Sequence, residues 1–294
     1  MIAATNAYAY ETDQFSHRDV EIADSRDVLN GEVNRAIQKV VNEWNKDHAD
    51  ELAVVYRIYT TIGGRHWVDI LERWAMKSDR VDKHPNERYD SIYSSAPIYA
   101  KRVIALFGVG RTIKLNGVHM GTDKIGHFLS QGRKYYKRWR KSQSESDAAQ
   151  QSHYTERAIF GQLTTGTFSN ADLVSNYEGH RFYRSLFEDS IIPGKPAILR
   201  WEDKGWVIQR EFDWADHVND YWDEALNVNH FDGWLYKHMR ETLLGFCSLY
   251  HERPELWVLN NEAELKARYA HLELRDTSEL RLSSLCVEVS KQEQ

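Results

Sequence analysis

The stretch Met120-Gly-Thr-Asp-Lys-Ile-Gly-His-Phe-Leu-Ser-Gln-Gly132 is the part of the chain around which the fold is expected to be organised. Thr122 is well placed to cap a helix that we expect to run through Lys141. Asp123 and His127 are four residues apart, and residues i and i+4 of a helix lie one turn apart on the same face. The stretch therefore predicts a helix with an acidic and an imidazole side chain on one face.

Two later segments continue this pattern on the helices expected over 148–163 and 169–187. The first segment is Tyr154-Thr-Glu156. The second is Ser169-Asn-Ala-Asp-Leu-Val-Ser-Asn-Tyr-Glu-Gly179, in which Ser169 and Asp172 have the spacing of a capping box. Asp172 and Asn176 are again four residues apart. We expect the three helices to direct their polar groups at one shared point.

The residue types at that point are those of a metal centre or of acid–base chemistry. Carboxylates and imidazoles bind divalent metals, and two carboxylates alone can act as general acid and base on a glycosidic bond. The predicted metal ligands are Asp123, His127, Glu156 and Asp172. Three of these ligands, His127, Glu156 and Asp172, are also the predicted catalytic residues, and the predicted supporting residues are Lys124, Asn176 and His180.

Each of these residues also has an ordinary structural explanation. Asp123 would suit any helix N-terminus, and Asp172 is explained by the capping box itself. Glu156 would suit a surface ion pair. Asn176 is less easily explained, because Asn is a poor residue for a helix interior. It also continues a polar stripe from Asp172 to His180 at i, i+4 and i+8.

The ordered set Asp-Lys-x-x-His-Phe, then Glu, then Ser-x-x-Asp-Leu-x-x-Asn-x-x-Gly resembles VanZ-like and YfiM-like bacterial envelope proteins. The residues that carry the resemblance lie within about 119–187 and are Asp123, Lys124, His127, Phe128, Glu156, Ser169, Asp172, Leu173, Asn176 and Gly179. The resemblance implies an envelope location and supplies no activity.

Composition and charge narrow the possible classes of protein. The chain has 294 residues, 41% of them hydrophobic, and a formal net charge of −6, which argues against a general nucleic-acid binder. A local exception is Arg133–Lys141, where basic residues surround Tyr135, Tyr136 and Trp139. This stretch is interpreted as a solvated helix face, with a contact for anionic lipid or polymer as the alternative. No run of eighteen apolar residues occurs, so no membrane-spanning segment is expected.

The pattern of apolar residues predicts a mainly α fold, with a helical bundle-like core and a small β-hairpin insertion. The hairpin is expected where Ala197–Trp201 and 206–209 flank Glu-Asp-Lys-Gly. Residues 1–23 are expected to form an extended lead-in and 24–294 a single domain, with 195–294 as a C-terminal subdomain left open. A helix over 213–226 and a strand over 280–289 complete the expectation.

Two features bear on the cellular compartment. Ala7-Tyr8-Ala9 fits the small-residue pattern before a signal-peptidase cut, so we expect a periplasmic or otherwise exported protein. Cys247 and Cys286 are compatible with one disulfide, as in exported proteins, and equally with two buried thiols.

The sequence leaves three functions open. The first is an exported hydrolase, dependent on a divalent metal ion or on carboxylates, that acts on a cell-wall polymer or another envelope component. The second is a lysozyme-like glycoside hydrolase that uses Glu156. The third is a non-catalytic envelope protein whose polar cluster specifies helix packing.

Overall fold

A computed structural model describes residues 12–64, 68–84, 91–94, 109–149 and 166–292. Helices dominate the described part, and the strands form only small two-stranded antiparallel sheets. The predicted fold class, mainly α with a small hairpin, is confirmed. No helix in the described ranges is long and apolar enough to cross a membrane.

The described residues form the following α-helices and β-strands. The helices are α1 (Arg26–Asn42), α2 (Glu51–Ile62), α3 (Ile70–Lys77), α4 (Asp123–Gly126 and Gly132–Ser142, joined by the π-helical turn His127–Gln131), α5 (Asn170–Ser185), α6 (Gly233–Leu244), α7 (Cys247–Glu252), α8 (Glu262–Arg268) and α9 (Leu282–Gln292). The strands are β1 (Thr112–Leu115), β2 (Val118–Gly121), β3 (Thr167–Phe168), β4 (Leu199–Glu202), β5 (Gly205–Ile208) and β6 (His230–Phe231). The sheets pair β1 with β2, β3 with β6, and β4 with β5.

The helices α4 and α5 cross in direct backbone contact, and two glycines make this contact possible. A Cβ atom placed on Gly132 would lie 2.6 Å from Gly179 Cα. A Cβ atom placed on Gly179 would lie 1.9 Å from the carbonyl oxygen of Phe128. Because neither position leaves room for a side chain, the two helices approach closely enough for their polar side chains to meet.

Phe128 anchors this crossing in the larger of two hydrophobic clusters. Its ring is fully buried and stacks on Phe182 with 5.3 Å between centroids. Trp214 packs against it at 4.7 Å, and Phe212 and Trp222 lie within 6.2 Å. This aromatic packing fixes the position of α4 against the core. Asp123 and His127 are carried by the same helix and are therefore held in place as well.

Two hairpins have the same kind of tight turn. In β4–β5, Asp203 and Lys204 have φ values of 45° and 67°, and the predicted hairpin is confirmed. In β1–β2, Asn116 and Gly117 have φ values of 53° and 80°. Two successive positive φ values are typical of the type I′ turn, which Asn-Gly favours. The β1–β2 hairpin was not predicted, and it leads directly into α4.

Two predicted elements in the C-terminal half are wrong. Residues 213–226 form short 3₁₀ turns instead of a helix. The side chains of Asp213, Asn219 and Asp223 each accept a hydrogen bond from the backbone N–H two residues later. Such local bonds compete with helix formation. Residues 280–289 contain the start of helix α9 instead of a strand.

Helix α9 belongs to the second hydrophobic cluster, which lies mainly in the C-terminal half. Leu282, Leu285 and Cys286 are buried at helical spacing. A disulfide joins Cys247 of α7 to Cys286 of α9, with 5.3 Å between their Cα atoms. Phe15 belongs to the same cluster, so the N-terminal segment packs against it.

The expected lead-in over 1–23 is described from residue 12 onward, and that part contains neither helix nor strand. Several of its side chains are nevertheless buried. The guanidinium of Arg18 donates to both carboxylate oxygens of Asp223, at 3.2 and 2.7 Å. The segment is therefore tied to the C-terminal half by a buried ion pair.

The glycine contact generates a stability prediction. Gly179→Ala should destabilise the protein by about 2–3 kcal/mol or more, because the methyl group has to push α4 away from α5. The matched control is Gly31→Ala, on an exposed face of α1 with no atom within 4 Å of the added Cβ. That change should stabilise by about 0.5–1 kcal/mol through helix propensity. Urea unfolding of both variants is the measurement, and equal effects would contradict the close crossing.

The disulfide generates a second prediction. Its sequence separation is 39 residues, and closing a loop of that length should stabilise the protein by about 4 kcal/mol in the chain-entropy model. The double variant Cys247→Ser, Cys286→Ser should therefore unfold at a much lower urea concentration than the oxidised protein. Wild type in reductant should behave like the variant. Two free thiols in unreduced, unfolded protein would contradict the pairing.

Candidate functional site

Three of the predicted ligands meet where α4 crosses α5. Asp123, His127 and Asp172 each offer one donor atom, and these atoms lie within 4.8 Å of one another. His127 Nε2 is 3.3 Å from Asp172 Oδ2. The site is largely buried, since the side chains of His127 and Asp172 are 19% and 12% exposed. Its geometry is that of a group able to hold a metal ion.

The imidazole of His127 is oriented by Asn176. Its Nδ1 lies 3.0 Å from Asn176 Oδ1, so Nδ1–H donates to the amide oxygen and Nε2 faces Asp172. Ligating histidines usually have such a partner on the other ring nitrogen. His127 also begins the π-helical turn of α4, and π-helical turns frequently occur at functional sites. Asn176, which the sequence predicted as a supporting residue, thus lies in direct contact with the imidazole of His127.

Lys124 is the buried cation of the site. Its side chain is 1% exposed, and Nζ lies 2.7 Å from a carboxylate oxygen of each of Asp123, Asp172 and Glu224. Burial alone would lower the pKa of Lys124, but the charges of these three carboxylates outweigh it and hold the pKa well above its usual value. Ser169 Oγ also donates to Glu224, at 2.8 Å.

The cap of α5 shows how the sequence frees Asp172 for this role. Ser169 Oγ accepts the backbone N–H of Asp172 at 3.1 Å, as predicted for an N-cap. The carboxylate of Asp172 does not complete a capping box, because it contacts Lys124 and His127 instead. The capping explanation therefore applies to Ser169 and leaves the Asp172 side chain for the site.

The charges of this group are not balanced. Three carboxylates surround one ammonium, which leaves a formal charge of −3 + 1 = −2 when His127 is neutral. Asp123 Oδ1 is also buried without a hydrogen-bond partner. An uncompensated charge in a buried place is costly. A further cation would relieve this imbalance.

A second carboxyl pair, Asp69 and Glu72, lies at the start of α3 and was not predicted. Ser130 of α4 donates to Asp69, with Oγ 2.8 and 2.7 Å from the two carboxylate oxygens. The carboxylate of Glu72 fills the space over Gly126, where a Cβ atom would lie 2.3 Å from Oε2. The pair thus adjoins α4 on the side of Asp123 and His127.

Burial controls the protonation of this pair. Burial raises the pKa of Asp69 to about 7. Burial, together with the charges of Asp123 and Asp69, raises the pKa of Glu72 well above its usual range. A carboxyl group that titrates near neutrality can act as a general acid or base.

His180, which was predicted as a supporting residue, is not part of this group. His180 lies about 12 Å along the axis of α5 from Asp172. There its Nε2 is 3.2 Å from Glu145 Oε1, and its ring stacks on Tyr135 at 4.7 Å. His180 is therefore one of the polar groups within an aromatic cluster. Glu156 lies outside the described residues.

The sequence contained a partial signal for the residues that were missed. Asp69-x-x-Glu72 has the spacing of a capping box, and that box is observed at the start of α3. Its spacing says nothing about burial against α4. Glu224 has no local signal at all, because it reaches Lys124 across 100 residues of sequence.

Comparisons with protein-family models, with curated proteins and with solved structures found no match for this chain. The residues of the site and the ordered resemblance to envelope proteins are therefore the features that bear on its function.

The raised pKa of Asp69 predicts a pH-dependent stability. Its ordinary pKa is 3.8 and its folded value about 7, so the native state keeps a proton that the unfolded chain has lost. Stability is accordingly lost as the pH rises between these values. Asp69→Asn cannot ionise and keeps an oxygen for Ser130. Relative to wild type it should gain about 1.4 kcal/mol for each pH unit in this window.

The measurement is urea unfolding at pH 5 and pH 8. The control is Asp79→Asn, which makes the same chemical change at an exposed aspartate in a turn. If the unfolding free energies of Asp69→Asn and wild type differ by the same amount at pH 5 and pH 8, the pKa of Asp69 is not raised.

Proposed function

We propose that the protein is a metal-dependent hydrolase of the bacterial cell envelope, in which Asp123, His127 and Asp172 hold a divalent cation. The observation that carries the proposal is the convergence of these three donors within 4.8 Å. Carboxylate oxygens and imidazole nitrogens are both ligand types of zinc, and three protein ligands leave one position of a tetrahedral ion open.

The fit of the donor set to a metal ion is supported by three features of the site. Ligands 2.0–2.2 Å from an ion lie roughly 3.3–3.6 Å from one another in a tetrahedral arrangement, so a contraction of about 1 Å brings the donors to that spacing. Asn176 already orients the imidazole of His127. The formal charge of −2 around Lys124 is the charge that a divalent ion neutralises.

A bound divalent ion would lower the pKa of a coordinated water to about 7 and so supply a nucleophile at neutral pH. The chain itself would contribute three things. Asn176 would keep the Nε2 of His127 directed at the ion. Lys124 would hold Asp123 and Asp172 in position. Asp69, with a pKa of about 7, would be the nearby group able to hold or release a proton.

An envelope location is supported by two observations of different kinds. The first is the ordered resemblance to VanZ-like and YfiM-like envelope proteins. The second is the Cys247–Cys286 disulfide, because disulfides form and persist mainly in oxidising compartments such as the periplasm. The expected export signal at Ala7-Tyr8-Ala9 lies outside the described residues and stays a prediction.

A second candidate function is favoured by Lys124. Its ammonium already lies 2.7 Å from an oxygen of each of three carboxylates, which is the arrangement of a buried ion cluster that specifies packing without catalysis. In that case the protein would be a non-catalytic envelope component. The two candidates differ in their response to divalent ions, because a packing cluster needs none.

Metal binding is the direct test. Protein purified without a metal column and stripped with a chelator should bind one equivalent of Zn²⁺ or Mn²⁺ in calorimetry. His127→Ala and Asp172→Asn should weaken this binding about a hundredfold or more, since each removes a ligand. Asn176→Ala should weaken it about 10–100-fold through loss of orientation. His48→Ala, which removes an exposed histidine outside the site, is the control and should change nothing.

The hydrolase claim has its own readout. Metal-loaded protein should release soluble fragments from purified cell walls, and the chelated protein and Asp172→Asn should not. Absence of stoichiometric metal binding, with unfolding stability unaffected by chelator, would favour the packing cluster instead.

A further inference from the structure

The C-terminal part of α4 presents a basic face. Lys134, Lys137, Arg138 and Lys141 follow the i, i+3, i+4, i+7 spacing that places side chains on one side of a helix. The three lysines are exposed and Arg138 is half-buried. These four residues are called the basic face of α4 below.

The other two cations of this stretch have internal partners. Arg140 Nη1 lies 2.6 Å from Glu51 Oε2, and Arg133 lies over the ring of Tyr59 at 4.0 Å. By contrast, none of the four residues of the basic face forms an ion pair within the ranges that the structure describes. Partial burial and the charges of Arg138 and Arg133 lower the pKa of Lys134, and the charge of Asp69 offsets them only in part.

This concentration of positive charge is unusual for a chain with a net charge of −6. Like charges on one helix face repel one another and weaken the helix. Four cations without an ion-pair partner among the described residues are therefore a cost to folding, which binding of an anion would remove. The face is complementary to a ligand that carries several negative charges.

The position of the face relates it to the candidate site. At 1.5 Å per residue, Lys134 lies about 10 Å and Lys141 about 21 Å along α4 from His127. Asp69, which is hydrogen-bonded to Ser130, feels the charge of Lys134. The basic face thus begins at the edge of the site and extends away from it in a line.

A membrane surface fits this face less well than a linear polymer does. Helices that bind bilayers insert an apolar or aromatic side. The aromatic residues of α4 face the protein instead, since Tyr135 and Tyr136 are buried and Trp139 lies under Arg184 at 4.1 Å.

We propose that the basic face of α4 binds a linear anionic glycan. The bound glycan continues towards Asp123, His127 and Asp172, and anionic glycans are the substrate class of the site. That the glycan is a substrate rests on the proposed hydrolase function. The binding itself needs neither metal nor catalysis.

The test compares binding of heparin and polygalacturonate with that of neutral dextran, by calorimetry on the full chain. Both anionic glycans should bind and dextran should not. Binding should weaken strongly from 0.05 to 0.5 M salt, because salt screens exposed charges. The triple variant Lys134→Gln, Lys137→Gln, Lys141→Gln should lose about tenfold or more in affinity. Gln is chosen because its helix propensity matches that of Lys.

The matched control removes three positive charges from other helices. It is the triple variant Lys39→Gln, Lys77→Gln, Lys237→Gln, in which all three lysines are exposed. It should retain full affinity. Equal losses in the two triple variants would overturn the proposal, and so would absence of binding to both glycans. Tighter binding of the wild type to phosphatidylglycerol vesicles than to either glycan would overturn it in favour of a membrane contact.

Asp172→Asn separates this inference from the proposed function. It should weaken metal binding about a hundredfold or more and leave binding of heparin to the basic face of α4 intact. Loss of glycan binding in the Lys triple variant with normal metal uptake would place the two properties on separate parts of α4. A chain that binds metal but neither glycan would overturn the substrate class alone, whereas a chain that binds the glycans but no metal would overturn the hydrolase alone.

Discussion

The buried ammonium of Lys124 is the interaction on which the rest of the structure depends. It binds Asp123 of α4, Asp172 of α5 and Glu224 of the C-terminal half at the same time, with each contact at 2.7 Å. Three segments distant in sequence therefore meet at one charge. Removal of one partner from a buried ion cluster costs about 3–5 kcal/mol, because the remaining charges lose their compensation. The geometry of the candidate metal group follows from this anchoring.

The crossing of α4 and α5 brings these charges together. Gly132 and Gly179 let the two backbones touch, and Phe128 fills the apolar side of the contact. The π-helical turn at His127–Gln131 lies at the same level and sets the direction of the imidazole. Close packing, an irregular turn and unbalanced buried charge thus coincide at one place. Such a coincidence is more typical of a functional site than of a helix packed only for stability.

Much of this could be predicted from sequence where the signals are local. The i, i+4 spacing placed Asp123 with His127 and Asp172 with Asn176, and Ser169 marked the start of α5 correctly. The β1–β2 hairpin was missed although Asn116-Gly117 is a strong turn signal. Long-range contacts left no such trace. Glu224 and Asp69 reach α4 only through tertiary packing, and side-chain bonds at residues 213–226 overrode an apparent helical pattern.

The central claim is that Asp123, His127 and Asp172 hold a divalent cation beside Lys124. Anomalous X-ray diffraction from crystals grown with Mn²⁺ or Zn²⁺ tests it most directly, because it locates the ion and identifies the element. We expect one strong peak within coordination distance of all three side chains, with Lys124 still bound to carboxylate oxygens of Asp123 and Asp172. A peak elsewhere, or none at this group at saturating metal, would contradict the account and leave a buried ion cluster that serves packing alone.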